Sequence, residues 1–311
     1  MIRVYKTKNN MVEKVKRITK DVWIDLVSPT EKEIDEVVKK TGIDKDLLLK
    51  LKDEEEVPRI EYEDDSTLIV VDCPFMEKED EKTSYYTLPL GIVFRKDYIV
   101  TISSKKQEVL KLIKDNKIKS LDTSFKSRFI IQILYHNTRL YIKYLRLIDK
   151  NINESEEGIY DGAENEELLK VLDIEKGLVY FINSLRENYV LTEKINKGSV
   201  IPLYEEDIDL LEDAQIENRQ GIDMANTYRE ILSSVSNAYS TIISNDLNEA
   251  MKVLTSITIV FSVPTMISSF LGMNVPFNDL ITGKYAYIII FILSILVSLI
   301  FAVYLKRKKL L

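Results

Sequence analysis

Strand-like and helix-like stretches alternate along the first 120 residues. Ile2–Lys6, Val22–Val27, Thr67–Asp72, Tyr86–Phe94 and Tyr98–Ser103 are rich in β-branched and aromatic residues and predict strands. Between them, Pro29-Thr30-Glu31 opens a helix to about Lys40. Asp44–Leu51 predicts a short second helix and Lys105–Asn116 a third. Residues 1–120 are therefore expected to form an α/β domain. From Ser124 the pattern changes: Phe129, Ile133, Tyr141, Tyr144, Leu145 and Ile148 fit a long helix ending near Gly158. Glu166–Lys197 predicts another. After Pro202 a helical pattern starts near Glu206 and meets no proline until Pro264. Unbroken to Leu271, it would be about 100 Å long. Residues 121–252 are expected to be a helical region containing this long stalk, and the low content of glycine (9) and proline (7) suits it.

Two apolar runs close the chain. Val253–Met273 and Tyr285–Leu305 each hold 21 residues without a formal charge. At a rise of ~1.5 Å per residue each spans roughly 31 Å, the thickness of a bilayer's hydrocarbon core. They predict a two-helix transmembrane domain over 253–311. Lys306-Arg307-Lys308-Lys309 follows the second run directly, while the loop Asn274–Lys284 carries one acid and one base. The positive-inside rule puts this basic tail in the cytoplasm. Two spans then return the N-terminal part to the cytoplasm and leave Asn274 outside.

The two runs differ in kind. The second is uniformly apolar and reads as lipid-facing. The first carries Thr255, Thr258, Ser262, Thr265 and Ser269 at steps of three and four, one helical face. Extended backward, that face takes in Asn248 and Met251. Hydroxyls in a membrane helix can bond their own carbonyls or join helices; a stripe of five bracketed by Asn248 and Asn274 also suits a face turned to water. Pro264 inside this run removes a backbone bond near Val260 and loosens the helix there. Two helices cannot enclose a water-filled path, so a pore needs several copies around an axis, first span inside and second outside.

Charge and motif content narrow the chemistry. The net charge is −7, but residues 1–251 hold 37 basic and 49 acidic residues. An acidic soluble part argues against nucleic acid, which is bound by clustered positive charge. One cysteine (Cys73) and one histidine (His136) exclude internal disulfides and Cys/His zinc clusters. Cys73 is expected at a packed strand end and His136 in a structural helix position. The sequence contains no Walker-type loop, GxGxxG or GxSxG, so no enzyme class is indicated. The N-terminus, MIRVYKTKNN, lacks the apolar core of a signal peptide.

Asn248-Glu249-Ala250-Met251-Lys252-Val253-Leu254-Thr255, Pro264-Thr265, Gly272-Met273-Asn274 and the basic tail after the second span together resemble the CorA magnesium transporters. Val22-Trp23-Ile24-Asp25 and Pro58-Arg59-Ile60-Glu61 are similar to that family's N-terminal domain. The resemblance implies a homopentameric funnel in which the stalk helix continues as the inner membrane helix. Asn274 of the Gly272-Met273-Asn274 motif would form the outer ring that selects the ion. Asn248, Met251, Leu254, Thr258, Ser262 and Thr265 would line the pore. Asp213 matches a stalk carboxylate that binds regulatory cations between subunits. Mg²⁺ is then the transported and regulatory ion, with Co²⁺ or Ni²⁺ as further cargo, and the partners are lipid and further copies of the chain, with no organic cofactor. Two positions depart from the pattern: Leu49-Lys50 stands where an acidic pair is expected, with Asp53, Glu54, Glu55 and Glu56 just beyond, and Ser262 replaces a larger apolar gate residue. A Zn²⁺ transporter of the same family and a membrane-anchored sensor or scaffold are the alternatives. Met273 favours magnesium over zinc.

Overall fold

The computed structural model describes residues 1–63, 65–79, 82–119, 121–160, 165–198, 200–272 and 285–308. The chain divides into two compact units, Met1–Ser236 and Asn237–Leu311.

The first unit is built on seven strands: β1 (Ile2–Lys8), β2 (Met11–Val15), β3 (Val22–Val27), β4 (Arg59–Glu63), β5 (Ser66–Glu79), β6 (Lys82–Arg95) and β7 (Tyr98–Ser103). They form one sheet in the order β2-β1-β3-β7-β6-β5-β4. Among the described residues only β3 and β7 pair in parallel; the other pairs are antiparallel. Alternation along the central strands sends side chains to opposite faces. Ile24, Leu26, Leu68, Val70, Val93, Val100 and Ile102 pack with Ile34, Val37, Leu47 and Leu48. The last four come from α1 (Glu31–Thr41) and α2 (Lys45–Lys50). Trp23, Ile69, Val71, Cys73, Leu90, Ile92 and Ile99 point the other way. They meet α3 (Glu108–Lys114) and α4 (Lys126–Tyr160), while Tyr85 joins the cluster shared by α4 and α5 (Asn165–Asn196).

Local signals explain the element ends. Thr30 and Glu33 form a reciprocal capping box at the start of α1. Gly42 takes the left-handed conformation that stops it, at φ +70°. The β1–β2 turn is made by Asn9 and Asn10, both at positive φ, the conformation that two-residue hairpins need. Glycine also admits two close approaches. A Cβ on Gly91 would lie 2.3 Å from the Leu51 side chain, and one on Gly177 would lie 2.6 Å from the Tyr85 Cβ. Gly177 is where α5 is drawn onto β6.

Helix α6 runs from Glu205 to Leu271 without a break, 67 residues with Pro264 inside. Its N-terminal part belongs to the first unit, where Leu211, Ala214, Ala225 and Leu232 are buried. In the second unit it is accompanied by α7 (Ala286–Arg307). Both helices are long and apolar enough to cross a membrane. The strands expected at 22–27 and 98–103 agree with the structure. Cys73 lies within β5 rather than at its end, because β5 continues through Pro74 to Glu79.

Candidate functional site

In the second unit the buried and exposed positions of α6 separate cleanly. Ser256 is buried and Val260, Val263, Pro264 and Ile267 are half-buried. At about 100° per residue these five share one face. On α7, Ser294, Ser298 and Leu305 are buried and Ile290 and Val297 half-buried, again one face. The matching stripes, with small serines at their centres, are the faces through which two helices of one unit can approach closely.

The hydroxyl stripe lies on the opposite side of α6. Thr255, Thr258, Ser262, Thr265 and Ser269 are all exposed, as are Asn248, Met251 and Leu254. Ile257, Thr258, Phe261, Ser262, Thr265, Met266 and Ser269 line a shallow groove there. The hydroxyls point their hydrogens inward: Thr258 donates to the Leu254 carbonyl at 2.8 Å, Ser262 to Thr258 at 2.8 Å and Thr265 to Phe261 at 3.0 Å. Each oxygen keeps its remaining lone-pair capacity for a partner outside the helix. Pro264 cannot donate to Val260, so one backbone acceptor on the buried side of α6 is released.

Gly272 is bonded through its N–H to the Ser268 carbonyl at 3.0 Å. A Cβ there would meet Ser268 and Ser269 oxygens only at 3.6 Å. Among the described residues nothing crowds the position. Met273 and Asn274 lie outside the described residues, as does the loop to 284.

The candidate regulatory residues do not assemble into a site within one chain. Asp213 is exposed on α6 between buried Leu211 and Ala214. Lys50 reaches Glu61 at 3.5 Å. Arg59 holds Glu61 at 2.7 Å and also pairs with Glu56. The Arg59 hydrogen bond keeps the Glu61 carboxyl below its ordinary range. Asp53 accepts from the Glu55 N–H at 3.0 Å. Among the described residues no group of three or more His, Cys, Asp or Glu side chains is arranged to hold a metal. His136 is half-buried, and burial, with Arg139 beside it, lowers its pKa. The Cys73 thiol is buried, and desolvation pushes its pKa well up.

Two acids in apolar strands, Asp25 buried and Asp72 half-buried, carry chemistry for which the sequence reading gave no role. Asp25, fully buried, meets Lys114 Nζ at 2.6 Å and the Thr101 hydroxyl at 3.2 Å. Asp72 meets the Ser184 hydroxyl at 2.5 Å. Both stand inside otherwise apolar strands, Val-Trp-Ile-Asp-Leu-Val and Ile-Val-Val-Asp-Cys. An acid at that position was the available signal.

The class is thereby outlined: a large α/β unit followed by two helices long and apolar enough to cross a membrane, the first carrying a polar face opposite its buried one. Residues 20–307 match the family described as CorA-like Mg2+ transporter protein. A cobalt/magnesium transport protein CorA of Methanocaldococcus jannaschii is 31% identical over 297 residues, covering 92% of this chain and 90% of the relative. The complete structure of the CorA magnesium transporter from that organism superposes with a TM-score of 0.81 at 27% identity, covering 99% of this chain and 98% of that one. The cytoplasmic domain of ZntB from Vibrio parahaemolyticus shares the fold alone, at 11% identity and a TM-score of 0.62 over 78% of this chain and 98% of its own. The chain belongs to the CorA family, whose members are transporters rather than enzymes.

Proposed function

We propose that this protein carries hydrated Mg²⁺ into the cell through a pore that several copies, five by family resemblance, build from the hydroxyl face of α6. The observation that carries this reading is the placement of that face opposite the buried face of α6. Such a face is free to turn toward an axis while α7 meets lipid. The inward-pointing hydroxyl hydrogens suit the same role. Waters around a cation turn their hydrogens outward, so a wall receives them best when it offers acceptors. Thr258, Ser262 and Thr265 offer lone pairs, with their own donors already committed to the helix.

Mg²⁺ sheds water reluctantly and demands octahedral oxygen. A ring of Asn274 amide oxygens is neutral and selects the hydrated ion without holding it as carboxylates would. Met273 packs between helices, and Gly272 lets neighbouring copies approach. Met251 and Leu254, below the hydroxyls, form a dewettable constriction, which Ser262 does not narrow. An inside-negative potential supplies the drive. At ~2.3 kcal/mol per charge per 100 mV, a dication gains about 4.6 kcal/mol, on the order of a thousandfold in concentration. Both termini lie in the cytoplasm and Asn274 outside. Asp213 contributes to a cation site between copies that holds the pore closed, and its carboxylate is exposed and available for that purpose.

The test is flux. Purified protein in liposomes containing a Mg²⁺-sensitive dye takes up Mg²⁺ under an inside-negative potential, and Asn274→Ala loses selectivity or flux. Wild type that carries no divalent cation sinks the transport reading. Wild type that carries Zn²⁺ in preference to Mg²⁺ moves the cargo to the transition metals.

A further inference from the structure

Helix α6 begins beside a cavity of about 650 Å³, which its first turn shares with the loop before α4 and the turn between β1 and β2. The loop is fastened to the sheet. Thr123 exchanges two hydrogen bonds with Thr7 of β1, at 3.1 and 3.0 Å, and its hydroxyl donates to the Asp21 carbonyl at 2.8 Å. A wall held in this way is ordered before any ligand arrives, which lowers the cost of binding.

Asp122, Glu205, Glu206 and Asp207 line the cavity against a single base, Arg128, a net charge of −3. Acids in a first turn commonly serve the helix dipole from the surface, and Glu205 and Glu206 are exposed, as that role requires. Asp207 is placed differently. Its side chain is only 1% exposed, although it lines the cavity. Its Oδ1 accepts from Arg128 Nε at 2.7 Å. Its Oδ2 is buried with no hydrogen-bond partner among the described residues. Arg128 also holds Glu206, through Nη1 at 2.7 Å, so its one charge is divided between two carboxylates. A buried carboxylate oxygen calls for a donor, and the cavity is the route by which one can arrive.

The remaining lining narrows what that donor is. Phe125 and Tyr204 are large exposed aromatics on the same cavity. A ring face attracts an ammonium group, and it packs against the methylenes beside one. A bare divalent ion needs a cage of several oxygens, and among the described residues no three acids are arranged as one. The volume is that of a small-molecule site.

We propose that this cavity binds an aliphatic polyamine. One ammonium is taken by Asp207, the others meet Asp122 and the exposed acids of the first turn, and the methylene stem lies against Phe125 and Tyr204. The site belongs to the first unit and stands whether or not α6 lines a pore.

The test is calorimetric titration of the full-length protein in neutral detergent with spermidine, with butylamine as the monoamine control. Spermidine binds saturably with a Kd of about 1 mM or tighter, and at least about tenfold more tightly than butylamine. Asp207→Asn weakens it about tenfold, and Tyr204→Ala about two- to fivefold. Glu230→Gln, an exposed acid further along α6, leaves it unchanged. Absence of saturable binding, butylamine as tight as spermidine, or an affinity unmoved by Asp207→Asn and Tyr204→Ala overturns the site. Displacement of spermidine by Mg²⁺ at equal concentration of charge overturns the polyamine as its ligand. Should Asp207→Asn not fold, Tyr204→Ala decides: weakened binding supports the proposal and unchanged binding overturns it.

Discussion

Replacing Lys114 by methionine removes the counter-ion of a carboxylate that has no access to water. Asp25 is fully buried, and its partners are Lys114 Nζ at 2.6 Å and the Thr101 hydroxyl at 3.2 Å. Thr101 is itself engaged by the Trp23 indole N–H at 2.8 Å. In Lys114→Met a single hydroxyl would face the whole charge. Removing one member of a buried pair costs about 3–5 kcal/mol. The ammonium also sits 5.6 Å from the Trp23 ring centroid and 5.9 Å from that of Tyr5, a contact worth about 0.5–1 kcal/mol more. Methionine fills most of the volume, so charge dominates the loss. Trp23 is the only tryptophan in the chain, and its ring packs on Tyr5 at 4.8 Å and Phe129 at 5.3 Å. Its fluorescence in a urea titration therefore reports this core and no other. With a slope of ~2 kcal/mol/M, the midpoint falls by roughly 1.8–3 M. Asp25→Asn combined with Lys114→Met recovers most of the loss, because no charge remains to be stranded. A single variant within about 0.5 M of wild type, or a double variant no better than the single, refutes the reasoning.

Gly177→Ala drives a methyl to 2.6 Å from the Tyr85 Cβ and 3.2 Å from its carbonyl oxygen. Neither atom is the free end of a side chain, so α5 must lift, at a cost of about 1–3 kcal/mol read from the same titration. Stability should also depend on pH through Asp72. Its folded pKa of about 6 exceeds the unfolded 3.8, so the folded state binds the proton more tightly, and stability falls as pH rises from about 4 to 6. The effect is at most about 3 kcal/mol, and it disappears in Asp72→Asn. Asp213→Ala should weaken inhibition of uptake by internal Mg²⁺ in the liposome assay, and unchanged inhibition removes Asp213 from sensing.

The hydrophobic pattern was enough to locate the long helices, because their burial repeats over many turns. The expected stalk from Glu206 to Leu271 differs from the observed Glu205–Leu271 by one residue. Short strands were harder. β2 carries Glu13 and Lys14 in five residues at a sheet edge, so little burial marks it. Its signal was the turn at Asn9-Asn10, not its composition. β5 and β6 run on to Glu79 and back from Lys82, past prolines that suggest an end. Pro74 and Pro89 are accommodated within one antiparallel ribbon whose register is continuous from Thr67 to Glu79. At the membrane, spacing alone identified the hydroxyl face of α6. That this face lies opposite the buried one needed the structure, since which side of a helix is covered is a tertiary fact. Leu49-Lys50 tells a similar story: Lys50 turns to Glu61, so the position holds an ion pair within the chain where an acidic pair was expected.

The central claim is that the hydroxyl face of α6 borders a water-filled ion path. Cys73 is buried and is the only native cysteine, so single cysteines can be placed along α6 and probed with a charged thiol reagent during Mg²⁺ uptake. The account predicts that Thr258→Cys, Ser262→Cys and Thr265→Cys are modified and that uptake is blocked, while Ser256→Cys, Val263→Cys and Ile267→Cys on the α7 side are not. Equal labelling of both faces, or block from the Ser256 side alone, would contradict it.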